Sequence, residues 1–148
     1  MKTLTDPVVR EEIIRRINAL PPNASAEWGQ MTLYQMLKHC RLWEEMALGH
    51  KTYKRKLISF LFGKLILKQI LKDEKPMMRG ASTVAAMKIT EPDGDISEEK
   101  TKWITLLESY AHSSVQSVNH PFFGKMTRDQ MGLLGYKHID HHLRQFRG

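Results

Sequence analysis

The stretch MTRDQMGLLGYKHIDHHLRQF, residues 126–146, decides how this chain is read. Thr127 with Gln130 three residues on is a capping-box pair, the mark of a helix start. Met131, Leu134, His138, His142 and Phe146 then line one face of that helix. Three of the seven histidines, His138, His141 and His142, crowd into five residues. His138 and His142, four apart, point the same way, whereas His141 sits at the edge of the stripe. Two imidazoles so placed can share a metal ion. Alone, the pair also fits a solvated basic helix end, where cations suit the helix dipole. Ile139 stands where the zincin pattern H-E-x-x-H requires glutamate, so the base of a helical metalloprotease is missing.

Working outward, the chain punctuates itself into further helices. Asp6-Pro7 supplies an N-cap and a proline at the first helical position, and Pro21-Pro22 closes that helix after Leu20. Thr32 and Gln35 form a second capping-box pair. Apolar residues at 33, 36, 37, 40, 43, 46 and 47 follow it to a stop at Gly49. Asp95 and Glu98 open another helix, carrying Ile96, Trp103, Leu106, Leu107 and Tyr110 towards residue 118. About 45 residues separate the second and third of these helices, more than a helix–helix turn needs. Within them, Lys56–Lys72 has its own helical pattern, and STVAAMKI (82–89) fits a short strand or a loop. Nothing alternates strongly enough to build a sheet. The expectation is an all-α protein, a four-helix bundle with an extra helix in the long connection between helices two and three.

A third metal ligand is needed for a firmly held ion. His39 lies on the inward stripe Met36–His39–Trp43–Met46, where a neutral imidazole is costly to bury without a partner. It stands seven residues past Thr32, on the order of 10 Å along the helix. His138 and His142 fall level with it only if helices two and four run antiparallel. The long connection lets helix three start at the same end as helix two, giving an up-down-down-up order.

The chain's 148 residues suit one domain, 1–148, of ordinary globular composition. One cysteine, Cys40, rules out an intrachain disulfide and a Cys-rich zinc motif, and favours a reducing, cytoplasmic setting. The start, MKTLTDPVVREEIIRR, lacks the apolar run of a secretory signal. The formal charge of +7 is concentrated in residues 51–75, where eight basic residues face Asp73 and Glu74. This segment is too short and too charged to cross a membrane. Its apolar residues suit a cover for the bundle or a homodimer contact, with lysines facing water. Confinement of the charge to one amphipathic segment with few aromatics argues against nucleic-acid binding.

MTLYQMLKHC (31–40), with HPFFGKMTRDQMGLLGYKHIDHHLRQF (120–146) much later, resembles the DinB-like (damage-inducible) superfamily of metalloproteins. Within it, the chain looks like an uncharacterised branch with HPFFG and a terminal KH-x-x-HH-x-x-QF. The resemblance spans nearly the whole chain and is weakest from 50 to 95. It implies a four-helix bundle in up-down-down-up order and a divalent metal on His39, His138 and His142. Characterised relatives include thiol transferases, so it further implies a small-molecule substrate and a low-molecular-weight thiol cosubstrate.

Three neutral histidines would leave an open position for zinc, nickel or iron chemistry on a small thiol or water, as in an S-transferase or a hydrolase. The contrasting expectation is a non-catalytic, metal-stabilised bundle acting as an interaction or dimerisation module. Among other candidates, His120 fits a turn residue or a substrate group, and Phe122 and Phe123 fit a plug for the bundle end. Cys40 fits a buried structural thiol, and Trp28 a cover over the start of helix two. Gln35 and Gln145 are not expected to be ligands.

Overall fold

The computed structural model describes residues 1–54, 59–80 and 87–148. In chain order the elements are α1 (Pro7–Ala19), α2 (Leu33–Ala47), α3 (Ser59–Ile70), α4 (Ile96–Ser109), β1 (Ser117–His120), β2 (Gly124–Thr127) and α5 (Arg128–Gln145). Each cap follows from side-chain chemistry. The Asp6 carboxylate accepts from Val8 N at 2.9 Å, with Pro7 next in line. Thr32 and Thr127 each accept from the backbone N–H three residues on, and Gln35 and Gln130 return the bond at 3.0 Å. Asp95 accepts from Glu98 N at 2.9 Å. These bonds satisfy donors that a helix start leaves bare.

The all-α expectation is corrected here. Residues 117–127 form an antiparallel hairpin in which Ser117 pairs with Thr127 and His120 with Gly124. The third expected helix stops at Ser109 rather than running towards residue 118. Past Tyr110, Ala111-His112-Ser113-Ser114 offers no apolar face to continue a helix. Strands of four residues are also too short for alternation to register as a pattern. Gly124 makes the tight return with φ +74, a conformation that L side chains rarely adopt. Residues 55–58, which take in the start of the expected extra helix, and 81–86, which take in the first five residues of the expected strand or loop, lie outside the described residues.

The helices pack on one apolar core that includes Leu4, Ile13, Met36, Trp103, Leu107 and Phe146. Neighbouring ends fix their directions. Gly29, ahead of α2, abuts Gln145 at the end of α5, while Trp43 near the end of α2 abuts Gly135. These two helices are therefore antiparallel. Gly94, ahead of α4, abuts Tyr34 at the start of α2, and Tyr110 at the end of α4 bonds Glu44, so α2 and α4 run parallel. At Gly135 an added Cβ would lie 2.9 Å from the Trp43 ring, so the small residue sets the approach of α5 to α2.

α3 lies over the hairpin. A Cβ on Gly63 would come within 2.2 Å of the Phe122 carbonyl oxygen. Lys137 of α5 donates to the carbonyls of Ile70 (2.6 Å) and Asp73 (2.7 Å) and so caps the end of α3 with a cation. The opposite side of α3 exposes Leu61, Phe62 and Leu65. Among the described residues, no helix is long and apolar enough to cross a membrane.

Candidate metal centre

α2 presents His39 and Trp43 on successive inward turns, and α5 presents His138 and His142 on another pair. Because the two helices are antiparallel, the three imidazoles arrive at one level. Their ring centroids are 5.0 Å apart from His39 to His138, 5.0 Å from His39 to His142, and 4.7 Å from His138 to His142. One ligand nitrogen from each lies within 4.8 Å of the others, close enough to hold a metal ion. His39 and His142 are buried.

Hydrogen bonds set the tautomers of two rings. His39 Nδ1 is 3.2 Å from the Met87 carbonyl, which can only accept, so Nδ1 carries the proton and Nε2 a bare lone pair. His142 Nδ1 is 3.0 Å from Gln145 Oε1. The Gln145 amide is oriented in turn, because its Nε2 donates to the Trp28 carbonyl at 2.6 Å. His142 Nδ1 is thus the donor, and its Nε2 is also bare. This is the arrangement typical of metal-binding histidines, whose outer nitrogen is held by an oxygen acceptor. His138 is placed differently: its ring stacks on Trp43 at 5.3 Å, and its buried Nδ1 has no partner among the described residues.

The electrostatics suit a cation. Burial, with the neighbouring imidazoles adding to it at His138 and His142, lowers all three pKa values, that of His142 to about 3. The rings are therefore neutral at physiological pH, with lone pairs available. His39 Nε2 and His138 Nε2 are 3.0 Å apart. Tetrahedral zinc with nitrogen ligands needs an N···N separation of about 3.3 Å. That pair lies a few tenths of an ångström inside this value and all three ligand nitrogens lie within 4.8 Å of one another, so the donor set fits a first-row divalent ion.

A cavity of about 510 Å³ opens beside the three rings. Its walls are largely apolar, with Trp28, Trp43, Met77, Phe122, Phe123 and Leu134 among them. No carboxylate lines it among the described residues. The missing glutamate of the H-E-x-x-H pattern is therefore not replaced from elsewhere in the fold. Three protein nitrogens and an adjoining cavity leave room for an exchangeable ligand.

The structure brings His39, His138 and His142 together. It also brings His120 and His141 to the cavity wall. His141 is flanked by Trp28, with ring centroids 5.7 Å apart. Phe122 and Phe123 line the cavity rather than only plugging the bundle, and Trp28 forms its wall near the start of α2. Cys40 is wholly buried, and burial raises its thiol pKa well above the usual value, as suits a structural residue. Sequence reading set aside Gln145, which orients His142, and missed Met87, whose backbone carbonyl orients His39. The Gln145 signal was available: it lies three residues after His142, one helical turn away. A backbone acceptor leaves no such trace.

A family profile described as protein of unknown function (DUF1569) matches residues 8–148. No curated protein and no solved structure matches the chain significantly.

Proposed function

The chain belongs to the DUF1569 family, and we propose that it is a divalent-metal-dependent enzyme working at His39, His138 and His142. The reaction type is S-transfer or hydrolysis, with a small thiol or water as nucleophile and a small-molecule substrate in the adjoining cavity. The observation that carries this reading is the pair of unprotonated Nε2 atoms on His39 and His142, each on a ring whose other nitrogen is held by an oxygen acceptor. The resemblance to the DinB-like superfamily points to the same three histidines.

When bound, a divalent ion supplies Lewis acidity, lowering the pKa of water or a thiol in contact with it. The protein's own residues do the rest. Met87 and Gln145 hold the imidazoles in the metal-binding tautomer. Trp43 fixes the His138 plane by stacking, and the apolar walls give the substrate body a surface to pack on beside the rings. Zinc, nickel and iron all suit an imidazole set. The lone buried cysteine supports placing the activity in the cytoplasm.

The test is metal analysis of protein purified without an affinity tag, with His39→Ala and His138→Ala alongside. One divalent ion per chain in wild type, lost in both variants, is the expected result. No bound ion after exposure to zinc, nickel or iron rejects the proposal.

A second reading is favoured by the exposed Leu61, Phe62 and Leu65 of α3. In it, the metal only stabilises the fold, and this face makes a homodimer contact. Wild-type protein that runs as a dimer, with a Leu61→Gln/Leu65→Gln variant that runs as a monomer, supports it. A monomeric wild type removes it.

A further inference from the structure

We propose that the cavity beside the three histidines takes a mostly apolar small molecule with one neutral acceptor oxygen, bound by His120 Nε2–H. This names the ligand class of the site described above and rests on that reading for the reaction, though not for binding.

The hairpin fixes which nitrogen of His120 carries the proton. His120 ends β1, and its Nδ1 is 3.1 Å from both Phe122 N and Phe123 N. Two backbone N–H groups donate to that nitrogen, so it is the ring's acceptor and the proton resides on Nε2. No described residue accepts from Nε2, although His120 lines the cavity and is 93 % shielded from solvent (relative exposure 7 %). With its other nitrogen held by the turn, the ring has this N–H free to donate to an oxygen placed in the cavity. Burial lowers the His120 pKa to about 4, so the ring is a neutral donor at ordinary pH. It does not act as a base, because its lone pair is engaged by the turn.

The walls supply the other half of the argument. No Asp, Glu, Lys or Arg is among the described residues that line the cavity, although the Arg79 guanidinium lies over the Trp28 ring at 3.9 Å, so the lining itself is neutral and mostly apolar. Gln145, the polar wall group nearest the metal ligands in sequence, already has both ends of its amide engaged. The volume of about 510 Å³ falls in the usual range for small-molecule sites, roughly 300–1,000 Å³. An aryl or alkyl body with a carbonyl matches this combination of apolar wall and the fixed His120 donor. The Trp28 Nε1–H, without a partner among the described residues, is a second donor in the lining.

The experiment compares two probes of nearly equal size, acetophenone and ethylbenzene. Each is titrated calorimetrically into the full chain, first treated with chelator and then loaded with zinc. His120→Asn is the decisive variant, since the asparagine Oδ1 can replace Nδ1 in the turn while the Nε2–H is lost. Wild type is expected to bind acetophenone saturably and at least fivefold more tightly than ethylbenzene, in both metal states. In His120→Asn the preference should shrink below twofold, with ethylbenzene affinity retained. A preference that survives in His120→Asn overturns the proposal. Equal binding of the two probes by wild type also overturns it, as does the absence of saturable acetophenone binding.

Should His120→Asn fail to fold, ¹⁵N–¹H spectra of the wild-type histidine rings decide. Acetophenone, and not ethylbenzene, must shift the His120 Nε2 proton, and an unmoved resonance refutes the assignment. Failure of zinc to bind would reject the metal reading while leaving the chelator-treated titrations interpretable.

Discussion

Gln145 accepts from His142 Nδ1 and donates to the Trp28 carbonyl, so one amide ties the His142 ring to the loop ahead of α2. Replacing it with leucine keeps the volume and removes both bonds. Zinc affinity of Gln145→Leu should fall about 10- to 100-fold, as measured by competition with a chromogenic chelator. An affinity within twofold of wild type would show that the ring needs no such support. Glu44 presents a separate residue-scale question. It is wholly buried on α2, accepts from the Tyr110 hydroxyl at 2.5 Å through one oxygen, and has no described partner for the other. Burial raises its pKa from 4.5 to about 8, and the Tyr110 bond only partly offsets this. The folded chain thus keeps a proton that the unfolded chain releases above pH 4.5. This contribution to stability is complete at low pH and is lost as pH rises towards 8, at a cost on the order of a few kcal/mol. Between pH 6.5 and 9 the low-pKa histidines described here stay neutral when folded, so the stability gained as they lose protons in the unfolded chain is common to both proteins and cancels in the comparison. Over that window the thermal midpoint of wild type should fall relative to that of Glu44→Gln. Parallel curves for the two proteins contradict the buried-proton account.

Helices and hairpin differ in how much of them can be read in the chain. Thr32–Gln35 and Thr127–Gln130 are local chemical statements: each names its own backbone partner three residues away, and both boxes are present. The inward stripes of α2 and α5 were equally legible, because burial repeats with the helical period and leaves His39, His138 and His142 among apolar neighbours. The hairpin was not. SVNH and GKMT have four residues each, and HPFFG states only that the chain turns. The ring of His120, which binds the turn from inside, has no signature apart from its identity. Met87 was hidden for a similar reason, since it acts through its carbonyl. The clearest element-level prediction belongs to the start of α5. Thr127→Ala removes the acceptor for Gln130 N at 3.3 Å and should cost about 1 kcal/mol in chemical denaturation. Thr127→Ser should recover most of that loss. Equal stability of the alanine variant and wild type would mean that tertiary packing alone holds the helix start.

At the scale of the whole molecule, the three histidines join elements far apart in sequence. α2 contributes one ring and α5 two, and the helices meet only in the folded chain. An ion that needs all three rings therefore binds the native state and not the unfolded chain, so its binding free energy adds to stability. Zinc at a hundred times its dissociation constant should contribute about 2.7 kcal/mol. For a chain of this length that corresponds to a rise of roughly 5–10 °C in thermal midpoint. His39→Ala and His138→Ala should lose the rise even where their metal-free midpoints stay near wild type, and chelator should reverse it in wild type. Turnover separates the two readings of the centre. A zinc-dependent midpoint together with zinc-dependent thiol transfer or hydrolysis fits an enzyme, whereas the midpoint shift alone fits a structural ion. A wild-type midpoint indifferent to zinc, nickel and iron excludes both, because it means the converging lone pairs hold no cation in solution.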